Sequence, residues 1–122
     1  MEETVLVCVT VQKECQRLIL AGKRLADSAR IPLKVLHVAQ PGLSPLGSPD
    51  AQEALNFLYA LSRETGAEMT LLYSDDVRGA IVEYAHQVGA VCVVVGSDRQ
   101  GGWAMAEALE ELLDDNITIM RA

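Results

Sequence analysis

Short apolar runs alternate along the whole chain with segments of helical spacing, and this alternation limits the fold more than any other feature. Short runs rich in aliphatic and β-branched residues predict buried strands. Strands that alternate with helices are joined by right-handed crossovers into one parallel sheet. The sequence therefore predicts an α/β, Rossmann-like fold with helices on both faces of the sheet. The five predicted strands are Thr4–Val11, Leu33–Ala39, Met69–Ser74, Ala90–Gly96 and Ile117–Met120.

The segments between the strands carry apolar residues at three- and four-residue steps, which is the spacing of one helix face. Four helices are predicted, the second ending near Thr65 and the fourth following Gly102. Their inward residues are expected to be Cys15, Leu18, Ile19, Gly22, Leu25, Ala26 and Ala29 in the first helix, then Leu55, Leu58 and Leu61, then Ile81, Tyr84, Ala85 and Val88, and finally Met105, Ala108, Leu109 and Leu112.

Polar residues and glycines mark the helix ends. Asp75 or Asp76 stands where the third helix needs an N-cap, and aspartate is a favoured residue there. Gly66 and Gly89 follow the second and third helices, where glycine commonly ends a helix. The two aspartates could be mistaken for catalytic carboxylates, but capping explains them without any chemistry.

Length and charge exclude several kinds of protein. The 122 residues fit one domain, residues 1–122, and no apolar run is long enough to cross a bilayer. A net charge of −7 argues against nucleic acids and anionic membranes, since both select basic surfaces. The acidic start MEETVLVCV is unlike a secretory signal, so we expect a cytoplasmic protein.

The three cysteines are expected to be reduced, buried thiols. Cys8, Cys15 and Cys92 form no CxxC pair, and two of them lie in apolar strand-like runs. Cys15 lies near a predicted helix start, where the helix dipole lowers a thiol pKa. It also lies on the apolar stripe of that helix, so core packing is the favoured interpretation.

The fold predicts where a ligand would bind. In open parallel sheets, ligands occupy the crevice at the carboxyl ends of the strands, where the strand order reverses. That rule selects the segments Thr10–Gln12, His37–Ala39, Ser74–Asp76 and Gly96–Gly102. Fold alone assigns no function to these segments.

Neither histidine predicts a metal site or a catalytic base. His37 lies inside an apolar strand and is expected to be packed and hydrogen-bonded, whereas His86 lies beside polar Gln87 and is expected to be solvated. No other ligand stands at metal spacing from either histidine. No Ser/His/Asp or Cys/His arrangement is evident, so we expect no enzyme activity.

The ordered set of motifs VLVCVTV, VLHVA, AIVEYAHQVGAVCVVVGS and ITIM resembles the universal stress protein family over nearly the whole chain. The start, VCVTVQKECQRLILAGKRLA, looks especially like the stress-protein domain of potassium-sensing histidine kinases. The resemblance implies strand order 3-2-1-4-5, and it makes a homodimer the expected assembly. It also implies a branch of ATP-binding members and a branch without ATP.

In the ATP-binding branch, an aspartate ends the first strand, the backbone at the end of the second strand meets adenine, and a loop G-x-x-G-x9-G-[S/T] follows the fourth. Here Thr10 replaces the aspartate and Gln12 stands where serine is frequent. Val38 still offers its backbone to an adenine. The resemblance thus implies a nucleotide site in which the first contact is altered.

The phosphate loop departs further from the family pattern. Gly96 and Ser97 match its start, but Arg99 occupies the second glycine position, and counting on reaches Leu109 and Glu110. Gly102 can serve as the final glycine only if the loop is shortened, and Trp103 rather than a hydroxyl residue follows it. The tentative nucleotide site is therefore Thr10, Gln12, Val38, Gly96, Ser97, Arg99 and Gly102, with ATP or AMP as the ligand if one binds.

Two residues of this loop have alternative interpretations. Arg99 could donate to a phosphate through its guanidinium, but a salt bridge to Asp98 or to an acid of the last helix is favoured. Trp103 could cover the sheet, lie in a dimer contact or stack on a base, and packing is favoured.

Three hypotheses for function follow. The first is a non-catalytic stress-response module that acts through dimerisation or a protein partner, with weak or lost nucleotide binding. The second is a sensor that binds ATP or AMP in the strand-end cleft. The third is a regulatory domain of a potassium-sensing or transport system.

Overall fold

The computed structural model describes residues 3–9, 15–39, 49–97 and 101–122. Strands and helices alternate through all of these segments, as the sequence predicts. The strands are β1 (Thr4–Cys8), β2 (Leu33–Ala39), β3 (Glu68–Tyr73), β4 (Ala90–Val95) and β5 (Thr118–Arg121). The helices are α1 (Cys15–Ala29), α2 (Pro49–Glu64), α3 (Val77–Gln87) and α4 (Ala104–Leu112).

The five strands form one parallel sheet in the order β3-β2-β1-β4-β5, which confirms the predicted α/β fold and strand order. β1 lies at the centre, where Val7 is opposite Val35 of β2 and Val94 of β4. The chain proceeds outward from β1 to β3, then returns to the other side of β1 with β4. The strand order therefore reverses between β1 and β4, and this junction positions the crevice described below.

Alternate residues of the central strands supply two separate cores, one on each face of the sheet. Val5, Val7 and Val35 belong to the core that α1 and α2 cover, together with Ile19 and Leu58. The opposite core lies beneath α3 and α4 and contains Leu6, Leu36, Val93, Ile81 and Leu109. Because both faces are covered, the strands are apolar on both sides, which explains their nearly continuous apolar sequences.

The helix ends agree with the predicted caps. The Asp76 carboxylate Oδ1 accepts a hydrogen bond of 3.0 Å from the backbone N–H of Gly79, so Asp76 is the N-cap of α3. Gly66 and Gly89 have φ values of 76° and 66° just after α2 and α3. In these left-handed conformations glycine avoids the strain that a side chain would cause.

The predicted inward stripe is wrong at the end of α1 and along α4. Ala29 is exposed, because the chain reverses at Arg30 and the N–H of Ile31 bonds to the carbonyl of Ala26. In α4 the buried stripe is Ala106, Leu109 and Leu113, which leaves Leu112 54% exposed. Leu113 lies just beyond α4 in extended conformation, where its side chain turns back to the core.

β1 is also shorter than predicted. The strand ends at Cys8 and is followed by Val9, while Thr10 and Val11 of the predicted strand lie outside the described residues. Within the described ranges, none of the helices has the length and apolar character needed to cross a membrane.

Candidate functional site

A cavity of about 260 Å³ opens at the carboxyl ends of β1, β2 and β4, at the junction where the strand order reverses. Its walls come from strand ends on one side and from the first turns of helices on the other. The described lining residues are Cys8, Val9, Leu18, Leu36, Val38, Val77, Ile81, Val95, Gly96, Ser97 and Met105. A crevice is therefore present at the strand ends where the fold predicts one.

The cavity is apolar. Among its described lining side chains, the Ser97 hydroxyl and the Cys8 thiol are the polar ones, and none is charged. Small-molecule sites in proteins usually occupy about 300–1,000 Å³. This cavity is slightly smaller than that range, and its described lining suits one flat or compact uncharged group.

α1 packs directly against the end of β4. A Cβ atom placed on Gly96 would lie 3.1 Å from Cδ1 of Leu18, a contact tighter than side chains normally make. Glycine at position 96 thus allows the helix and the strand end to meet.

His37 fixes the exit of β1. Its Nδ1–H donates a hydrogen bond of 2.9 Å to the carbonyl oxygen of Val9, and the Val9 N–H donates to the carbonyl of Leu36 at 2.9 Å. Burial lowers the pKa of His37 below 6.5, although the bond to Val9 acts in the opposite direction. The ring is therefore a neutral, packed side chain, which confirms the prediction made for it.

The cysteine thiols are free, and burial keeps them protonated. Desolvation raises the pKa of Cys8 to about 12 and that of Cys15 to about 11, and it also raises the pKa of Cys92. Cys8 faces the cavity without being a thiolate, so it is no nucleophile at neutral pH. For Cys15, burial outweighs a backbone hydrogen bond that acts in the opposite direction.

The structure brings part of the predicted nucleotide site together. Val38, Gly96 and Ser97 line the cavity, and Gly102 lies two residues before α4. Thr10, Gln12 and Arg99 lie outside the described residues. Their contribution to a site therefore stays a prediction.

Eight of the lining residues lie outside the predicted segments. Four are at strand ends, namely Cys8, Val9, Leu36 and Val95, and four are on helices, namely Leu18, Val77, Ile81 and Met105. Leu18, Ile81 and Met105 were expected only to fill the core. The apolar periodicity of a helix does not distinguish a residue beside an empty space from one in a packed interior. No sequence signal available here could have selected them.

The segment Ser74–Asp76 does not join this cavity. It borders a second, open groove of about 540 Å³ between β3 and α3. The Ser74 hydroxyl accepts a 3.1 Å hydrogen bond from the Asp76 N–H, which shapes the turn into α3. The expectation that all four strand-end segments form one crevice is wrong, because β3 is the strand farthest from the β1–β4 junction on that side of the sheet.

Trp103 is packed beside the end of β5. It contacts the core beneath α4, and the Arg121 guanidinium lies 5.8 Å from its ring centroid. Arg121 Nη2 also donates a 3.0 Å hydrogen bond to Glu110 Oε1 of α4. The favoured interpretation of Trp103 as a packing residue is confirmed, and Arg121 is a cation paired with the acidic last helix.

Among the described histidines, cysteines and carboxylates, no group of three or more could hold a metal ion. His86 is half-exposed, as expected, and its Nε2 lies 3.6 Å from Asp114 Oδ2. Each histidine therefore has a contact within the protein: His37 bonds to the Val9 carbonyl, and His86 lies near the Asp114 carboxylate.

Comparison with known proteins gives a family match over most of the chain. Residues 1–106 match the family described as Universal stress protein family. The sensor protein KdpD of Mycobacterium tuberculosis is 32% identical over 103 residues, which are 84% of this chain. The aligned region spans 12% of that relative, so the chain corresponds to a small part of the sensor protein.

Solved structures of low sequence identity share the fold. A universal stress protein from Archaeoglobus fulgidus has a TM-score of 0.73 at 22% identity, covering 99% of this chain and 93% of that one. A structure of the A. fulgidus protein in complex with dAMP has a TM-score of 0.70 at 21% identity, covering 99% and 97%. A universal stress protein in complex with cAMP has a TM-score of 0.72 at 17% identity, covering 99% and 96%.

Proposed function

Because the chain belongs to the universal stress protein family, we propose that it is a non-catalytic module of the stress response whose nucleotide binding is weak or lost. It acts by contact with a partner protein or as a homodimer. The observation that carries this proposal is the size and chemistry of the strand-end cavity. The space is about 260 Å³, and none of its described lining side chains is charged, so it offers little to a nucleoside triphosphate.

The departures of the phosphate loop support the same proposal. Gly96 and Ser97 begin the loop as in the ATP-binding branch, but Arg99 and Trp103 replace a glycine and a hydroxyl residue. Backbone N–H groups of a glycine-rich loop are what holds phosphates in such folds. Side chains at these positions reduce the close approach that a triphosphate requires.

An adenine compound is the second candidate ligand. Structures with similar folds are complexes with cAMP and dAMP. Val38 lines the cavity, and a nucleobase-sized group fits the volume better than a triphosphate. We infer that AMP or adenosine binds more readily than ATP if any nucleotide binds.

A regulatory role in potassium sensing or transport is the third candidate. It is favoured by the 32% identity with part of the sensor protein KdpD. We further propose that one domain covers residues 1–122, since β5 extends the same sheet beyond the matched residues 1–106. A cytoplasmic location, without nucleic-acid or membrane partners, agrees with the net charge of −7.

Isothermal titration with ATP plus Mg²⁺, AMP and adenosine tests this proposal. We expect no heat with ATP. We expect AMP or adenosine to bind with a millimolar or weaker dissociation constant, if at all. Val77→Phe, which narrows the cavity, should remove any such binding, while Val91→Phe outside the cavity should not. Tight ATP binding that Arg99→Ala abolishes would contradict the proposal and would make Arg99 a phosphate ligand.

Assembly is tested separately by gel filtration with light scattering. We expect a mass of twice 13.2 kDa. A sharp monomer peak at micromolar concentration would contradict the homodimer and leave contact with another protein as the mode of action.

A further inference from the structure

The second groove lies between β3 and α3, and it has no described lining residue in common with the strand-end cavity. Its walls are the end of β3 and the exposed flank of α3, and its volume is about 540 Å³. Two of its lining residues, Gly79 and Ala80, are small and therefore occupy little of its volume. A Cβ atom on Gly79 would collide with the Asp76 carboxylate, so the N-cap of α3 and the depth of the groove depend on the same small residue.

Among the described residues, β3 is an edge strand whose own sequence gives little protection against pairing with another strand. It pairs with β2 along all six of its residues, Glu68–Tyr73, and it is the outermost strand of the described sheet on that side. Its sequence EMTLLY contains no lysine and no proline, and its register with β2 runs without a shift. Natural edge strands are commonly blocked by a lysine, a proline or a shift in register, because an open edge is a template for another strand.

The charge on β3 is confined to its far end. Glu68 forms an ion pair of 2.9 Å with Lys34, at the amino end of the strand. The carboxyl end, next to the groove, instead presents Tyr73 with 55% of its surface exposed. An uncharged strand end beside an open groove suits an added peptide strand, whose backbone would bond to β3.

The groove itself is acidic. Asp76 and Glu83 are exposed carboxylates in its lining, and no described lining residue is basic. The aromatic ring of Tyr84 is held in place by a hydrogen bond of 2.8 Å between its hydroxyl and Thr70 Oγ1. Carboxylates next to fixed aromatic rings attract lysine and arginine side chains.

A second copy of this chain fits this acidic groove less well than a basic partner does, because each copy carries a net charge of −7. We propose that the groove between β3 and α3 binds a short, extended, basic segment of a partner protein, which adds to the edge of β3. The proposal rests on the proposed role in partner binding and names the chemistry of that partner.

Fluorescence anisotropy with labelled seven-residue probes tests the inference on the full chain. The first probe alternates lysine and valine, the second alternates glutamate and valine, and the third is the lysine probe with alternate backbone nitrogens methylated. We expect binding of the first alone, weakening as salt rises. Absence of binding by the lysine probe, or equal binding of the methylated probe, would overturn the proposal.

Matched variants separate the groove from general attraction to an acidic protein. Glu83→Gln should weaken binding roughly two- to fivefold, the range for an exposed charge pair, whereas Glu64→Gln on the exposed surface of α2 should leave it unchanged. Ala80→Leu should fill the groove and remove binding, with Ala60→Leu on α2 as its control. Equal weakening by Glu83→Gln and Glu64→Gln would show attraction without a site and would overturn the proposal.

Amide chemical shifts of the wild-type protein provide a measurement that does not depend on any variant. The lysine probe should shift resonances of residues 70–87 and leave those of α2 unchanged. Shifts centred on α2 would overturn the assignment of the groove. These results are independent of nucleotide titration, since tight ATP binding would contradict the proposed function and leave the peptide result unaffected.

Discussion

The Nδ1 atom of His37 and the carbonyl oxygen of Val9 lie 2.9 Å apart, and this hydrogen bond joins β2 to the first residue after β1. His37 is 8% exposed and Val9 is 6% exposed, so the bond is buried. The bond holds the exit of the central strand beside the cavity. It thereby links the stability of the fold to the shape of the candidate site.

His37→Ala should lower the free energy of unfolding by about 1–3 kcal/mol, because it leaves a buried carbonyl without its donor. Urea denaturation followed by circular dichroism measures this. The control is His86→Ala, whose half-exposed ring should change stability by no more than about 0.5 kcal/mol. Equal effects of the two substitutions would contradict the structural role of His37.

His37 should also make stability depend on pH. Burial lowers its pKa in the folded protein below 6.5, so below that pH the unfolded chain binds a proton that the folded chain resists. The stability that the neutral His37 ring contributes is fully present above pH 6.5. It is lost as the pH falls toward the lowered pKa of His37 in the folded protein. The loss cannot exceed about 1.4 kcal/mol per pH unit for one group.

The measurement compares urea midpoints at pH 7.5 and 5.5. Wild type and His86→Gln should both lose stability at the lower pH, and His37→Gln should lose less. Carboxylates contribute equally to wild type and His37→Gln, so the difference between these two proteins isolates His37. The same slope in His37→Gln and wild type would assign the pH dependence to other groups.

Gly22→Ala should destabilise the protein although alanine favours helices. The new Cβ atom would clash with Cγ2 of Val7 and lie 3.1 Å from Cδ1 of Leu33. Overpacking of this kind costs about 1–3 kcal/mol, more than the roughly 0.5–1 kcal/mol that alanine gains over glycine in a helix. Thermal unfolding should show a lower Tm, while Ser28→Ala on the exposed side of α1 should not lower it.

The order of the strands and helices could be predicted because each apolar run is short and each helix has a regular stripe. Gly66, Gly89 and Asp76 marked helix ends whose local chemistry is independent of tertiary structure. The exposure of Leu112 could not be predicted from the sequence. Leu112 and Leu113 follow Leu109 by three and four residues, so both have the spacing of the same helix face. The extended backbone at Leu113 buries Leu113 and leaves Leu112 exposed.

The candidate site was less predictable than the fold. Strand ends could be identified from the sequence, but the separation of Ser74–Asp76 from the cavity depends on the lateral position of β3. The helix residues Val77 and Ile81 enter the cavity through the packing of α3 across the sheet. Such placement is a tertiary property, and periodicity alone does not contain it.

The thiols should be unreactive in the folded protein. With the pKa of Cys8 at about 12 and that of Cys15 at about 11, neither has an appreciable thiolate fraction at pH 8. A chromogenic disulfide reagent should label none of the three cysteines within minutes in buffer, and all three in guanidinium chloride. Rapid labelling of one thiol, absent in Cys15→Ser, would show that the α1 dipole outweighs burial.

Arg121→Ala should change the surroundings of Trp103 more than the stability of the protein. The guanidinium covers the ring at 5.8 Å, and its partner Glu110 is half-exposed, so the pair contributes less than about 1 kcal/mol. Removing the cover should expose the indole to water. Because Trp103 is the only tryptophan, its emission should shift to longer wavelength and acrylamide should quench it more strongly.

Arg121→Lys should preserve part of the cover, and Arg63→Ala on exposed α2 should leave the spectrum unchanged. An unchanged spectrum in Arg121→Ala would show that the core beneath α4, rather than the guanidinium, determines the exposure of the indole.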